Sequence, residues 1–345
     1  MSLRLVTLGA GYFSQFQYRG WLRINDVQLV GICNRSRAKG EELARAYDIP
    51  AIFTDPAEAL RALRPDFIDI ITPPPTHLET IRLAAALKID VICQKPFCRN
   101  LSEAREAVEL AGNAGIRLLV HENFRFQPWY EKIGSTIKAG DLGEIYGATF
   151  RLRPGDGQGP SAYLDRQPYF REMPRFLIHE TAIHLIDVFR CLFGEVGSVF
   201  AALRRLNPEI AGEDAGVVIL EMAGGVQAVF DGNRLADHRA SNRRLTLGEL
   251  TIEGSGGVLM LDGDARLTLR AHGSNEERQL QFAWSDHDFG GDCVYRFQRH
   301  AVDVLLNRTS AQTLAADYLE NLRIEEAIYE SHRSGRKIEL PSFDA

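Results

Sequence analysis

A chain of 345 residues is long enough for two domains, each with its own core. With 45% hydrophobic and 25% charged residues, its composition is that of a globular protein and excludes fibrous and low-complexity classes. Forty basic against 46 acidic residues, a net charge of −6 with no long one-sign run, argue against nucleic acid and anionic membrane as partners.

Leu3–Leu8 is an apolar run of strand length, broken by Gly9-Ala-Gly11 and continued from Tyr12 to Ile24 as a helix. Strand, glycine turn and helix N-terminus together form a phosphate cradle, because backbone N–H groups and the helix dipole face an anion. The dinucleotide fingerprint G-x-G-x-x-G has Ser14 at its third position, where a small residue still lets helix and strand pack. Val27–Cys33 is a second strand, and Asn34-Arg35-Ser36-Arg37 stands where an acidic residue would bond the ribose of NAD. A neutral Asn34 does not repel a 2′-phosphate, and Arg35 or Arg37 could pair with one, so the reading favours NADP over NAD.

Phe67–Ile71 is a buried strand closed by Thr72-Pro-Pro-Pro-Thr-His77, a rigid loop at the carboxyl ends of the strands where ligands bind. Helix 78–87, strand 91–94, helix 102–114 and strand 117–120 follow, and this alternation predicts a doubly wound parallel sheet over residues 1–122. Lys95, in Gln94-Lys95-Pro96, is a cation at a strand end and a candidate catalytic group. The five scattered cysteines form no C-x-x-C pair and read as reduced thiols of a cytoplasmic protein. No apolar run reaches membrane-spanning length.

Residues 123–345 change pattern. A helix is expected over 129–139 and a strand over 145–152, then a long Gly- and Pro-bearing segment, 154–174. Arg151, Arg153, Arg166, Arg171 and Arg175 fall in or beside it, either as an anion-binding collar or as plain surface charge. A helix is expected over Arg175–Phe193, with Glu180 and His184 four apart on one face. His179 and His184 are five apart and point about 140° away from each other on an ideal α-helix, so no shared metal is expected. Strands at 199–204, 216–222, 226–232, 244–253, 257–261 and 266–269 predict a large, mostly antiparallel sheet, followed by helices 292–306 and 316–333 and an edge strand at 338–341. A large open sheet has one face to cover, so a homo-oligomer, dimer or tetramer, is expected.

With those residues in place the chain resembles the glucose-fructose oxidoreductase / inositol dehydrogenase / MocA-like (Gfo/Idh/MocA) oxidoreductase family over essentially its whole length. Gly9 and Gly11 match the family's glycine motif, Thr72-Pro73 through His77 its proline loop, and Gln94-Lys95-Pro96 its Glu-Lys-Pro motif with Gln for Glu. Glu180-Thr-Ala-Ile-His184 looks like its Asp-x-x-x-His motif with Glu for Asp, and Asn123-Phe-Arg125-Phe-x-Pro128 also looks familial. The resemblance implies a Rossmann domain followed by a domain on an open antiparallel sheet. It implies a dehydrogenase acting on a secondary CH–OH of a sugar, polyol or sugar acid, with Lys95 and His184 as the catalytic pair and Glu180 beside them. It implies cofactor contacts at Gly9, Gly11, Tyr12, Phe13, Asn34, Arg35, Arg37, Thr72, Pro73, His77, Gln94 and Lys95, and substrate contacts at Asn123, Arg125, Arg153 and His179. Two other readings compete, a non-catalytic NAD(P)-binding sensor and a redox-neutral NAD-dependent glycoside hydrolase.

Overall fold

A computed structural model describes residues 2–343, and the chain divides into two units. One runs up to Asn123 and takes in Val294–Leu322; the other comprises Phe124–Cys293 and the residues from Arg323 onward. Besides the stretch expected as one domain, the first unit takes in Val294–Leu322. Contacts between residues far apart in the chain decide that addition, and local patterning does not register them.

The first unit is built on six parallel strands, β1 (Leu3–Leu8), β2 (Val27–Cys33), β3 (Ile52–Phe53), β4 (Phe67–Ile70), β5 (Asp90–Gln94) and β6 (Leu118–His121), in the order β3-β2-β1-β4-β5-β6. Helices α1 (Ser14–Trp21), α2 (Arg37–Tyr47), α3 (Pro56–Leu63), α4 (His77–Leu87) and α5 (Leu101–Ala114) alternate with them. The strand order reverses between β1 and β4, the switch point at which such sheets bind ligands. Parallel strands are covered on both faces and so read as continuous apolar runs. All four residues of β4 are buried, Asp69 among them.

Asp69 accepts a 2.7 Å hydrogen bond from Trp21 Nε1, and the Gln17 amide lies 3.5 Å from both its oxygens. Burial pushes its carboxyl up to about 7, against the downward pull of the Trp21 bond. The folded pKa lies above the unfolded one, so the fold loses stability as pH rises from about 4, the ordinary aspartate value, to about 7. Asp69→Asn keeps the acceptor for Trp21 and removes the charge. Its melting temperature is expected to exceed the wild-type value at pH 8, with the gain shrinking toward pH 4. A variant equally destabilised at both pH values would show that ionisation of Asp69 carries none of this effect.

The second unit holds a nine-stranded sheet. Its strands are β7 (Ile145–Leu152), β8 (Val196–Arg204), β9 (Ala215–Met222), β10 (Gln227–Asn233), β11 (Gly248–Gly254), β12 (Gly257–Leu261), β13 (Leu267–Arg270), β14 (Arg278–Leu280) and β15 (Ile338–Glu339). Their order is β14-β13-β12-β11-β7-β10-β9-β8-β15, antiparallel except for the β7–β10 pair. The remaining helices are α6 (Pro128–Lys138), α7 (Ile183–Phe193), α8 (Phe289–Leu305) and α9 (Ala315–Ser334). One sheet face is core, with Phe150, Val218, Leu220, Phe230, Leu250 and Ile252 buried. On the other face the register lines up Phe200, Ile219, Val229, Thr149, Thr251 and Met260 in one row across six strands. The strand expected from Arg244 starts instead at Gly248, since Leu245 N bonds back to Asn242 O in a turn and Leu247 is left-handed (φ 61°).

Candidate active site

In the first unit the carboxyl ends of β1, β2, β4 and β5 lie side by side, followed directly by Gly9, Asn34 and Lys95 and, beyond β4 and Ile71, by Thr72, all singled out from sequence. Gly9 has φ +126°, and a Cβ there would stand 2.9 Å from the carbonyl carbon of Ile71 and from Thr72 N, so only glycine fits between β1 and the loop after β4. Gly11 has open space where its Cβ would be. Ser14, in the third fingerprint position, closes the turn by donating its hydroxyl to Gly11 O at 2.6 Å. No side chain caps α1 and no acidic residue lies in its first turn, so its N-terminus suits an anion. A bare backbone turn with room at Gly11 and an uncapped helix start fits the pyrophosphate of a nicotinamide dinucleotide. Tyr12 and Phe13 pack their rings on Phe16 beside this turn.

Asn34 Nδ2 donates to Ser36 O at 2.8 Å, Arg37 pairs with Glu41 one turn on, and Arg35 is exposed. The Thr72 and Thr76 hydroxyls share a 2.6 Å hydrogen bond across a short 3-10 turn that begins after Pro73. His77 is fully buried; its Nδ1 accepts from Cys98 N, and its Nε2 donates to Thr72 O at 2.7 Å. Burial holds its imidazole down at about 4, so the ring is neutral. Both ring nitrogens of His77 tie the Thr72 loop to the loop after Lys95. Gln94 folds its side-chain Oε1 onto Lys95 N at 2.8 Å and places no negative charge beside the ammonium.

In the second unit, the stretch expected as one α-helix over Arg175–Phe193 starts as a π-helical turn, Leu177–Ala182, which passes into α7. Such turns carry one extra residue per turn and are frequent at functional sites. Glu213 secures the start, its Oε1 accepting from Phe176 N and Ile178 N at 3.1 Å and its main-chain O from Leu177 N. Glu180 belongs to the π turn and His184, 5% exposed, to the first turn of α7. His179 donates from Nδ1 to Glu325 Oε1 at 2.7 Å.

Behind the π turn lies Arg234, a buried guanidinium just beyond β10. It donates to both oxygens of Asp156 (3.1 and 2.7 Å), to Tyr163 OH (2.9 Å) and to Thr181 Oγ1 (2.7 Å), inside the rings of Tyr163, Phe170 and Phe176. Glu180 is close enough to act electrostatically on Arg234 and on Tyr169. Residues 154–174 are thus pinned to the π turn through one cation.

Each arginine of the 151–175 stretch faces carboxylates. Arg153 bonds Asp231, Arg166 pairs with Asp156, Arg171 with Glu209, Arg175 with Glu326, and Arg151 lies 3.9–4.0 Å from Asp231 and Glu249. Their charge is already met by carboxylates. Arg125, read as a substrate contact, is forked onto Asp187, and Arg153 is spent on Asp231 and two carbonyl oxygens. Asn123 is buried just beyond β6. Phe124, Glu213 and Arg234 carry no role in the sequence reading, and Asp156 and Asp187 stand there only as an acid among the arginines and as the residue three beyond His184.

The description "Oxidoreductase family, NAD-binding Rossmann fold" matches residues 3–122, and the Gfo/Idh/MocA C-terminal domain matches residues 130–260. A D-apiose dehydrogenase from Paraburkholderia graminis is 32% identical over 98% of this chain and 90% of its own length. A second D-apiose dehydrogenase, from Rhizobium rhizogenes, is 29% identical over 98% and 97% of the two chains. The solved structure of an Agrobacterium radiobacter oxidoreductase in complex with NAD+, L-tartaric acid and magnesium superposes with a TM-score of 0.89 at 28% identity, covering 99% of each chain. With both domain models matched in order and a 32% identical relative spanning nearly the whole chain, this protein belongs to the Gfo/Idh/MocA family of NAD-binding oxidoreductases.

Proposed function

We propose that the protein is a dehydrogenase that oxidises a secondary hydroxyl of a neutral sugar or polyol, with Lys95 and His184 as its catalytic residues. The observation that carries this reading is the alignment of the glycine turn, Asn34, Thr72 and Lys95 along adjacent carboxyl ends of one parallel sheet. The names of the relatives, D-apiose dehydrogenase above all, supply the substrate class. The carboxylate-paired arginines favour a neutral substrate over a sugar acid.

A nicotinamide dinucleotide held at the glycine turn would supply the hydride acceptor for the carbinol carbon. His184 takes the hydroxyl proton as general base, a task imidazole suits near neutral pH. Lys95 donates a hydrogen bond and positive charge to the oxygen as it becomes an alkoxide. Glu180, one helical turn before His184, hydrogen-bonds a neighbouring hydroxyl. The test is absorbance of reduced nicotinamide on mixing enzyme and cofactor with D-apiose, other aldoses, polyols and their acids. Reduction with neutral sugars supports the reading. Cofactor binding with no turnover across the panel would transfer it to a sensor role.

Both NAD and NADP are accepted, since Asn34 puts no negative charge opposite a 2′-phosphate and Arg35 is exposed beside it. Arg35→Ala is expected to raise KM for NADP about tenfold, the loss of one charge-assisted contact, and to leave KM for NAD nearly unchanged. An equal effect on both cofactors would remove Arg35 from the choice between them.

The protein works as an oligomer in which a second copy covers the Phe200–Ile219–Val229–Met260 row. Ile219→Lys puts a charge in the middle of that row. Sedimentation is expected to show a multimer for the wild type and a smaller species for the variant, and a monomeric wild type at micromolar concentration would refute the assembly.

A further inference from the structure

The imidazole of His184 lies flat on the ring of Phe124, with centroids 4.0 Å apart and planes only 4° from parallel. Arg125, the next residue, grips the same helix one turn further on. Its Nε and Nη2 donate to Asp187 Oδ2 and Oδ1 at 2.7 and 2.6 Å, and the two side chains are 14% and 2% exposed. Asp187 follows His184 by three residues, so both contacts fall on one face of α7. Two consecutive residues of the 3-10 turn Phe124–Phe126 therefore hold that face at two points, one by a ring and one by a fork.

The clamp has its own support. Phe289 stands 6.1 Å from Phe124, and the Arg244 guanidinium lies over the Phe289 ring. After Phe289 come three left-handed residues, Gly290, Gly291 and Asp292 (φ 57°, 68° and 68°). A Cβ at Gly290 would approach Gln127 Nε2 to 2.8 Å, and one at Gly291 would approach Pro128 Cδ to 2.9 Å. Positive φ and close approach both call for glycine here, and the glycine turn rests on the residues that follow Arg125.

We propose that Phe124 and Arg125 are positioning residues that set the plane and the axial position of the His184 imidazole. The proposal rests on the reading of His184 as the general base. The last side-chain torsion of histidine is intrinsically broad, and a ring stacked at 4.0 Å removes that freedom. The Arg125–Asp187 fork fixes α7 along the same line, so the nitrogen that receives the proton is held in one direction. This accounts for an arginine in a motif read as substrate-binding whose fork already embraces a carboxylate.

The experiment uses the full-length protein and the variants Phe124→Leu, Phe124→Tyr and Arg125→Lys. One readout is independent of activity: the His184 ring-proton NMR shifts, expected upfield in the wild type from the Phe124 ring current. Phe124→Leu is expected to lose that displacement and to lower kcat about tenfold, the cost of a slightly misplaced base, with KM for the cofactor unchanged. Phe124→Tyr restores both. Arg125→Lys keeps the charge, loses the two-point fork, and lowers kcat in the same direction. Ordinary ring-proton shifts in the wild type would overturn the proposal, as would a folded Phe124→Leu enzyme with wild-type kcat. If Phe124→Leu does not fold, an Arg125→Lys enzyme with wild-type kcat and shifts overturns it instead. His184→Asn separates the two readings: full turnover there removes the base assignment, while the His184 ring shifts of the wild type and of Phe124→Leu still decide the stack.

Discussion

Lys95→Ala and His184→Ala are each expected to lower kcat by roughly 10²–10⁴-fold while leaving the dissociation constant of the cofactor almost unchanged. Lys95 follows the last residue of β5, and its main-chain N–H is already fixed by the Gln94 side chain, so removing the ammonium leaves the backbone path intact. His184 is almost fully buried on a helix whose start is secured by Glu213, and alanine there removes the ring without unseating the helix. If the two residues act as proposed, the two losses combine less than additively, because a base without the oxyanion partner and the partner without the base both fail at the same transition state. Lys95→Arg keeps the charge and changes its shape, and should recover part of the rate where Lys95→Met does not. Initial rates at the reduced-nicotinamide band give kcat, and fluorescence titration gives cofactor affinity. Near-wild-type rates in both alanine variants would place the chemistry elsewhere, and lost cofactor affinity would make Lys95 a binding residue.

The parts of this protein legible in the sequence are those set by near neighbours. Leu3–Leu8 and Phe67–Ile71 are apolar runs because parallel strands are covered on both faces, and Gly9 announces the turn because nothing larger fits against Ile71 and Thr72. The Gly254–Gly257 hairpin joins β11 and β12 as its glycines predict. The parts that were not legible are set by partners far along the chain. Arg125 finds Asp187 62 residues away and His179 finds Glu325 146 away, and no local spacing foretells either. Both residues carry donors that suit a substrate, and only the fold reveals what those donors face. The π turn is illegible in the sequence for a related reason. Its residues have ordinary helical periodicity, and the extra residue is accommodated by Glu213 and Arg234 from other elements. Arginines 151–175 look like a collar in one dimension because their acidic partners mostly lie outside that stretch.

Arg234→Met is expected to cost about 3–5 kcal/mol of stability, the penalty of leaving the partner of a buried ion pair uncompensated. The Arg234 side chain is 6% exposed and that of Asp156 19%, so little water is at hand to replace the lost bonds. Burial pushes the Asp156 carboxyl up, but Arg234 and Arg166 outweigh it and hold the group below the ordinary aspartate range. A depressed folded pKa contributes stability above the unfolded value, about 4, and that contribution is lost as pH falls through the folded value. Without Arg234 the burial of Asp156 is opposed only by the Arg166 contact at 3.2 Å and the Tyr163 hydroxyl, which donates to Oδ1 at 3.3 Å. The deficit of Arg234→Met should therefore be largest near neutral pH and shrink toward pH 4, where the carboxyl can protonate. Adding Asp156→Asn should return a good part of the loss, a coupling that urea unfolding of the two single variants and the double variant measures. A cost below about 1 kcal/mol, independent of pH, would make the pair no stronger than an exposed salt bridge. The same variant bears on activity, since Arg234 Nη1 also holds Thr181 beside Glu180. Thr181→Val deletes only that acceptor, so a fall in kcat that the milder variant shares with Arg234→Met would come from the π turn and not from global loosening.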